Sequence, residues 1–141
     1  MFNHSHQPAP QRRTRSDHAN ETAEDYVEAI AAVIADTGTC RVADLARWFG
    51  VSHVTVTKIV QRLQAEGLVE TAPYRPLKLT TKGTRLAAKS RRRHEIVYQF
   101  LLALGLDERT AAVDAEGIEH HVSPATLETF AKFLAENPRR T

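Results

Sequence analysis

The hexapeptide Glu116-Gly117-Ile118-Glu119-His120-His121 constrains this chain more than any other stretch. On a helix, residues three and four apart share a face, so Glu116, Glu119 and His120 point the same way. Two carboxylates and an imidazole on one face form a costly cluster unless something positive sits among them. A hard divalent cation would supply that charge, and oxygen and nitrogen donors without thiolate suit Mn²⁺ or Fe²⁺. The competing account is an exposed acidic helix edge that holds nothing. What separates the two is whether the rest of the chain supplies matching donors.

The chain has 141 residues, enough for one compact domain or two very small ones. Its net charge of +2 and pI near 8.9 permit nucleic-acid binding without demanding it, so the placement of charge has to decide. Cys40 is the only cysteine, which excludes an internal disulfide and a thiolate cluster. No apolar run approaches the roughly 18 residues of a membrane span, and no signal-peptide pattern opens the chain. Neither a membrane nor an organic substrate is expected as a partner, and the expected location is the cytoplasm.

Residues 1–21 carry Pro8, Pro10, Arg12, Arg13, Arg15 and scattered histidines, with few apolar side chains, and read as a disordered tail. The histidines, His18 among them, could bind metal weakly and the arginines could touch phosphate; a solvated tail is the simpler account. A first helix is expected from about Thr22 to Asp36, with Thr22 and Asp25 as an approximate capping box. Tyr26, Ile30, Val33 and Ile34 form its buried stripe. Asp25 and Glu28 share a neighbouring edge, where the helix dipole alone would favour them.

Residues 41–52 then read as the opening of a helix-turn-helix, with Val42, Leu45 and Ala46 on one face and Gly50 permitting the tight turn. Ser52 caps a second helix to about Glu66, whose buried stripe is Val56, Ile59, Val60 and Leu63. Its other face carries His53, Thr55, Thr57, Lys58, Gln61 and Arg62. Short donors and acceptors with two cations suit base edges and phosphates in a major groove; an ordinary solvated face is the alternative. A Pro-containing turn between two extended pieces reads as a wing, with Arg75 and Lys78 placed to reach phosphate. A long helix from Thr80 or Thr81 to about Leu104 follows, its basic run from Lys89 to Arg93 read as solvated. Another helix should run from Asp107 to about His121, and a last one from Ser123-Pro124 to before Pro138. The final helices have little core of their own, so a second subunit related by a twofold axis is expected to cover them. The fold class is mainly α: a winged helix-turn-helix over residues 22–83, then a helical metal-binding and dimerisation domain over 84–141.

The strings Glu24-Asp25-Tyr26-Val27-Glu28, Arg93-His94-Glu95 and Glu116-Gly117-Ile118-Glu119-His120-His121 resemble those of the manganese transport regulators, the short, manganese-responsive branch of the diphtheria toxin repressor family. Val56-Thr57-Lys58 agrees with it, and the resemblance covers about residues 22–136. It implies a homodimeric repressor of manganese uptake that binds a palindromic operator in double-stranded DNA. It also implies a two-metal site between the domains, with ligands at Asp25, Glu28, His94, Glu116, Glu119 and His120. In the iron-responsive branch, Met typically stands at the position of Asp25 and Cys at that of Glu116, and a further SH3-like domain follows, which is not expected here. The absence of sulfur favours Mn²⁺, which the two-metal site puts at two per subunit, with Fe²⁺ the nearest alternative. Glu95 and His121 are not carried over as ligands.

Three other readings compete, one being a winged-helix regulator that responds to an organic ligand, with the acidic residues merely on its surface. An iron-responsive repressor would keep the fold and change the metal. A metallohydrolase would use His94, Glu119 and His120, since His94-Glu95-Ile96-Val97-Tyr98 nearly writes the zinc-protease HExxH pattern. Tyr98 stands where the second histidine is needed, and such an enzyme has no use for a recognition helix. No catalytic activity is expected.

Overall fold

Apolar stripes at helical spacing, separated by turns with left-handed glycines, set the element order. The computed structural model describes residues 11–138, with side chains from residue 18. Helices α1 (Gln11–Thr37), α2 (Val42–Phe49) and α3 (His53–Ala65) lead to a hairpin of β1 (Val69–Glu70) and β2 (Lys78–Leu79). Helices α4 (Thr81–Ala103), α5 (Glu108–Ile118) and α6 (Pro124–Glu136) follow, with a 3₁₀ turn at Glu119–His121 between the last two. The strands are antiparallel, with Val69 opposite Leu79 and Glu70 opposite Lys78, and Leu77 N donates to Cys40 O at 2.8 Å.

The N-terminal core gathers the expected stripes. Tyr26, Ile30 and Val33 of α1, Leu45 and Ala46 of α2, and Val56, Val60 and Leu63 of α3 are buried together, with Tyr26 stacked on Phe49 at 4.3 Å between ring centroids. Gly50, left-handed at φ 64°, turns α2 into α3, and Ser52 Oγ accepts from Thr55 N at 3.1 Å to start the recognition helix. The wing is tied to α4: Thr80 caps it by accepting from Gly83 N at 3.0 Å, and Thr80 N donates to Leu68 O at 3.1 Å. A Cβ at Gly83 would lie 2.0 Å from that Leu68 oxygen, so this approach requires glycine.

A second, smaller core holds Val97, Leu101 and Leu102 of α4 against Ala111 and Ala115 of α5. Helix α6 buries no residue completely, although Phe130 stacks on Phe100 at 3.9 Å. Leu104, Leu106, Val113, Ile118 and Phe133 remain exposed in this half.

Two expectations need correction. Residues 11–21, expected within a disordered tail, are the first turns of α1, which starts at Gln11 rather than near Thr22; residues 1–10 lie outside the described residues. No glycine or proline stands between Pro10 and Gly38, and extending a helix nucleated by a packed stripe costs far less than starting one. The helix expected to reach His121 instead ends at Ile118 and tightens into the 3₁₀ turn. With about 3.0 residues per turn instead of 3.6, Glu119 and His120 swing inward while His121 stays exposed.

Candidate metal centre and nucleic-acid interface

Three helices deliver the donors. Asp25 lies on α1, His94 on α4, and Glu119 and His120 on the 3₁₀ turn after α5. Asp25, Glu119 and His120 each offer an atom within 4.8 Å of the other two. His120 Nε2 stands 3.1 Å from Asp25 Oδ1 and 3.4 Å from Glu119 Oε1. The other carboxylate oxygen of Glu119, Oε2, is buried with no well-directed hydrogen bond, although His94 Nδ1 is 3.3 Å away. An orphaned carboxylate oxygen in the interior is costly, and a cation would satisfy it. The residues present therefore fit a divalent metal. Glu28, Glu116 and His94 line a cavity of about 510 Å³ together with Asp25 and Glu119, whereas His120 joins the group through Asp25 and Glu119.

The electrostatics show a site short of positive charge. Burial pushes the Asp25 carboxyl up to about 6, against the opposing pull of His120, and Glu21, Glu119 and Glu116 raise it further. His94 is raised chiefly by its contact with the Glu119 carboxylate. Burial alone would depress His120, but Glu24, Asp25 and Glu119 outweigh it and the net shift is upward. Each group holds its proton more tightly than usual, as expected where carboxylates crowd without a cation.

Several participants had no role in the sequence reading. Glu24 Oε2 accepts from His120 Nδ1 at 2.7 Å and pairs with Arg93, which leaves His120 Nε2 facing Asp25 and Glu119. Arg93 thus turns inward from the basic run expected to be solvated. Ser90, wholly buried on α4, donates to Glu28 Oε2 at 2.9 Å. Trp48, placed by sequence only as bulk on α2, is 57% exposed and lines the cavity beside Asp25 and Glu28. Glu95 is exposed and accepts from Gln99 Nε2 at 3.0 Å.

Of the residues expected to contact DNA, His53, Thr55, Thr57, Lys58 and Gln61 are exposed on α3, and Arg75 and Lys78 are exposed on the wing. The Thr55 hydroxyl lies 3.0 Å from Ser52 Oγ at the helix start. Arg62 departs from this face: it is half-buried, and its guanidinium donates to Ala19 O of α1 at 3.4 Å. Two apolar side chains that the polar pattern hid stand out here, Val54 on α3 and Tyr74 at the wing tip. Tyr74 takes a left-handed φ of 61°, uncommon for a bulky residue.

Comparison with known proteins places this geometry. Residues 18–77 match the family described as "Iron dependent repressor, N-terminal DNA binding domain", and residues 80–140 match "Iron dependent repressor, metal binding and dimerisation domain". The chain is 47% identical over 126 residues to the transcriptional regulator MntR of Escherichia coli O6:H1, covering 89% of this chain and 81% of the relative. The chain belongs to the MntR family. To the regulator MntR of Lysinibacillus sphaericus it is 41% identical, covering 82% of this chain and 85% of that one. A solved manganese-dependent transcriptional repressor in complex with manganese superposes with a TM-score of 0.71 at 29% identity, over 83% of this chain. The chain spans only about half of that longer protein, 54%. As an MntR-family member it is a DNA-binding transcriptional regulator of the manganese-responsive repressor type, not an enzyme. Tyr98, in place of the second histidine of a zinc-protease helix, instead stacks near His94 with ring centroids 6.2 Å apart. Among the described residues no helix is long and apolar enough to cross a membrane.

Proposed function

We propose that this protein is a cytoplasmic homodimer that binds about two Mn²⁺ per subunit and then represses manganese uptake genes from a palindromic operator. The observation that carries the proposal is the convergence of Asp25, on the helix that packs against the recognition helix-turn-helix, with Glu119 and His120 beyond α5. Asp25, Glu28, His94, Glu116, Glu119 and His120 would hold the metal, an oxygen-rich set without sulfur that suits Mn²⁺. The bound cation supplies the positive charge this cluster lacks.

The chain's own residues do the rest. Glu24 fixes His120, Ser90 fixes one oxygen of Glu28, and Asp25 joins the two halves of the molecule at one point. Holding α1 against the C-terminal half restricts how the helix-turn-helix sits relative to the dimer. Two recognition helices so held can reach half-sites about one turn of DNA apart or a multiple of it. Metal then favours the DNA-competent conformation because it binds that conformation better. The exposed Leu104, Val113 and Phe133 support a second subunit as the cover for this half.

The test is operator binding titrated in parallel with Mn²⁺, Fe²⁺ and Zn²⁺, with and without chelator. Mn²⁺ should restore the specific binding that chelation abolishes; equal specific affinity in demetallated protein would overturn the reading. Activation by Fe²⁺ in preference to Mn²⁺ would turn it to the iron-responsive alternative.

A further inference from the structure

The donors of the metal centre sit in unequal surroundings. The side chains of Glu119 and His120 are each 3% exposed, whereas those of Asp25 and His94 are 45% and 28% exposed. The centre therefore has a dry side and a wet side. The wet side is the cavity of about 510 Å³, which five of the six expected donors line and His120 does not. At about 30 Å³ per water molecule, that volume holds water as well as metal. What walls it decides how freely solvent reaches a bound ion.

One large side chain on that wall has no other task. Helix α2 commits Val42, Leu45, Ala46 and Phe49 to the N-terminal core, Phe49 through its stack on Tyr26. Trp48 stays largely exposed and instead lines the cavity beside Asp25, Glu28, Glu116 and His94. We propose that Trp48 is a positioning residue of the metal centre, an apolar wall on its wet side that holds water away from the bound ion and slows its release. The inference rests on the reading of this centre as a Mn²⁺ site.

The chemistry of the donors makes such a wall useful. Apolar surroundings of a metal site control solvent access and the local dielectric. Two charges 4 Å apart interact about four times more strongly at an effective dielectric constant of about 20 than in bulk water. Mn²⁺ stands at the weak end of the affinity order of the divalent metals, so carboxylates that hold it gain most from being kept dry. Trp48 is also two residues from Gly50, whose left-handed turn leads α2 into α3. One wall of the centre thus belongs to the helix-turn-helix itself. The ordinary alternative is a surface tryptophan, common enough on folded proteins, that borders the cavity without affecting what it holds.

Full-length wild type, Trp48→Ala and Trp48→Phe are compared with Mn²⁺ bound. The position is exposed, so the fold should tolerate both changes, and helical circular dichroism checks it. The first measurement is the rate of Mn²⁺ release into excess chelator by stopped flow. The second is the water-proton relaxation enhancement of the bound ion, which rises with the water that reaches it. Trp48→Ala should release Mn²⁺ about tenfold faster, at the low end of what residues around a donor set contribute, and should show the higher enhancement. Trp48→Phe should restore most of both, because a ring still covers the cavity. Trp48 is the only tryptophan of the chain, so wild-type emission should change as Mn²⁺ fills the metal-free site. Equal release rates and equal enhancement in wild type and Trp48→Ala would overturn the inference and leave the Mn²⁺ centre standing. A wild type that binds no Mn²⁺ would overturn the reading of the centre itself.

Discussion

Glu24 shows how one carboxylate can control a site without belonging to the donor set. Its Oε2 engages both His120 Nδ1 and Arg93, so the imidazole is held with Nε2 toward Asp25 and Glu119. Partners of this kind typically change metal affinity by about 10–100-fold when removed. Glu24→Gln should therefore weaken Mn²⁺ activation of operator binding within that range while leaving the helical signal intact; an unchanged Mn²⁺ midpoint would remove Glu24 from this role. Asp25 carries a different expectation. Exchanging its hard oxygen for the soft sulfur of Asp25→Met should let Fe²⁺ or Co²⁺ activate DNA binding more effectively relative to Mn²⁺. Asp25 is only partly buried, so the fold should tolerate the change. The measurement is anaerobic operator binding over a range of each metal, and an unchanged order of activation in a folded dimer would show that Asp25 does not set selectivity.

At the scale of elements, helix α3 makes a separable prediction. Lys58 and Gln61 are both exposed, whereas Arg62 turns back to Ala19. Lys58→Ala should weaken binding to all sequences alike and lower the salt slope by about one unit. Gln61→Ala should instead change preference among operator variants by about 1–3 kcal/mol at one position. Fluorescence anisotropy over a salt series and a set of operators checks both, and no effect from either would move the DNA contacts elsewhere. Most of this element was legible from sequence because an apolar stripe bounded by Ser52 and Gly67 admits few other structures. The turn of Arg62 was not, because the carbonyl it meets lies on residues that composition alone assigned to a tail. The start of α1 was hidden for a related reason. Its own residues carry no stripe, and its helicity continues from Tyr26 and Ile30, which are packed further along. At the candidate centre, residue types and spacing pointed to Glu116, Glu119 and His120, and the family resemblance added Asp25, Glu28 and His94, but Glu24 and Ser90 show their roles only once α1 and α4 are side by side. The 3₁₀ turn that brings Glu119 inward was equally hidden, since an i, i+3, i+4 pattern fits either helix type.

For the whole molecule, the charge at the centre couples metal, protons and stability. Partial burial pushes the Asp25 carboxyl up to about 6 in the folded chain, from an ordinary value of 3.8. A carboxyl that binds its proton more tightly when folded favours the folded state at low pH and disfavours it progressively as pH rises through about 4 to 6. His94 and His120 are also raised, so their contribution is present below their ordinary value of 6.5 and fades as pH rises through the higher folded values. All three act in the same direction. Asp107, lowered by its hydrogen bonds to Thr110, acts oppositely, but only as pH falls toward and below its ordinary 3.8. The metal-free protein should therefore melt at a higher temperature at pH 5.5 than at pH 7.5. Metal reverses that trend, because its ligands must lose their protons to bind. Added Mn²⁺ should raise the melting temperature strongly at pH 7.5 and much less at pH 5.5, where protons compete for Asp25 and the two imidazoles. Calorimetric melts of the chelated and Mn²⁺-loaded protein across this range measure both effects. A metal-free melting temperature that rises with pH would show that these groups do not hold their protons more tightly in the folded chain, and a Mn²⁺ stabilisation that grows as pH falls would show that they do not share the metal's site.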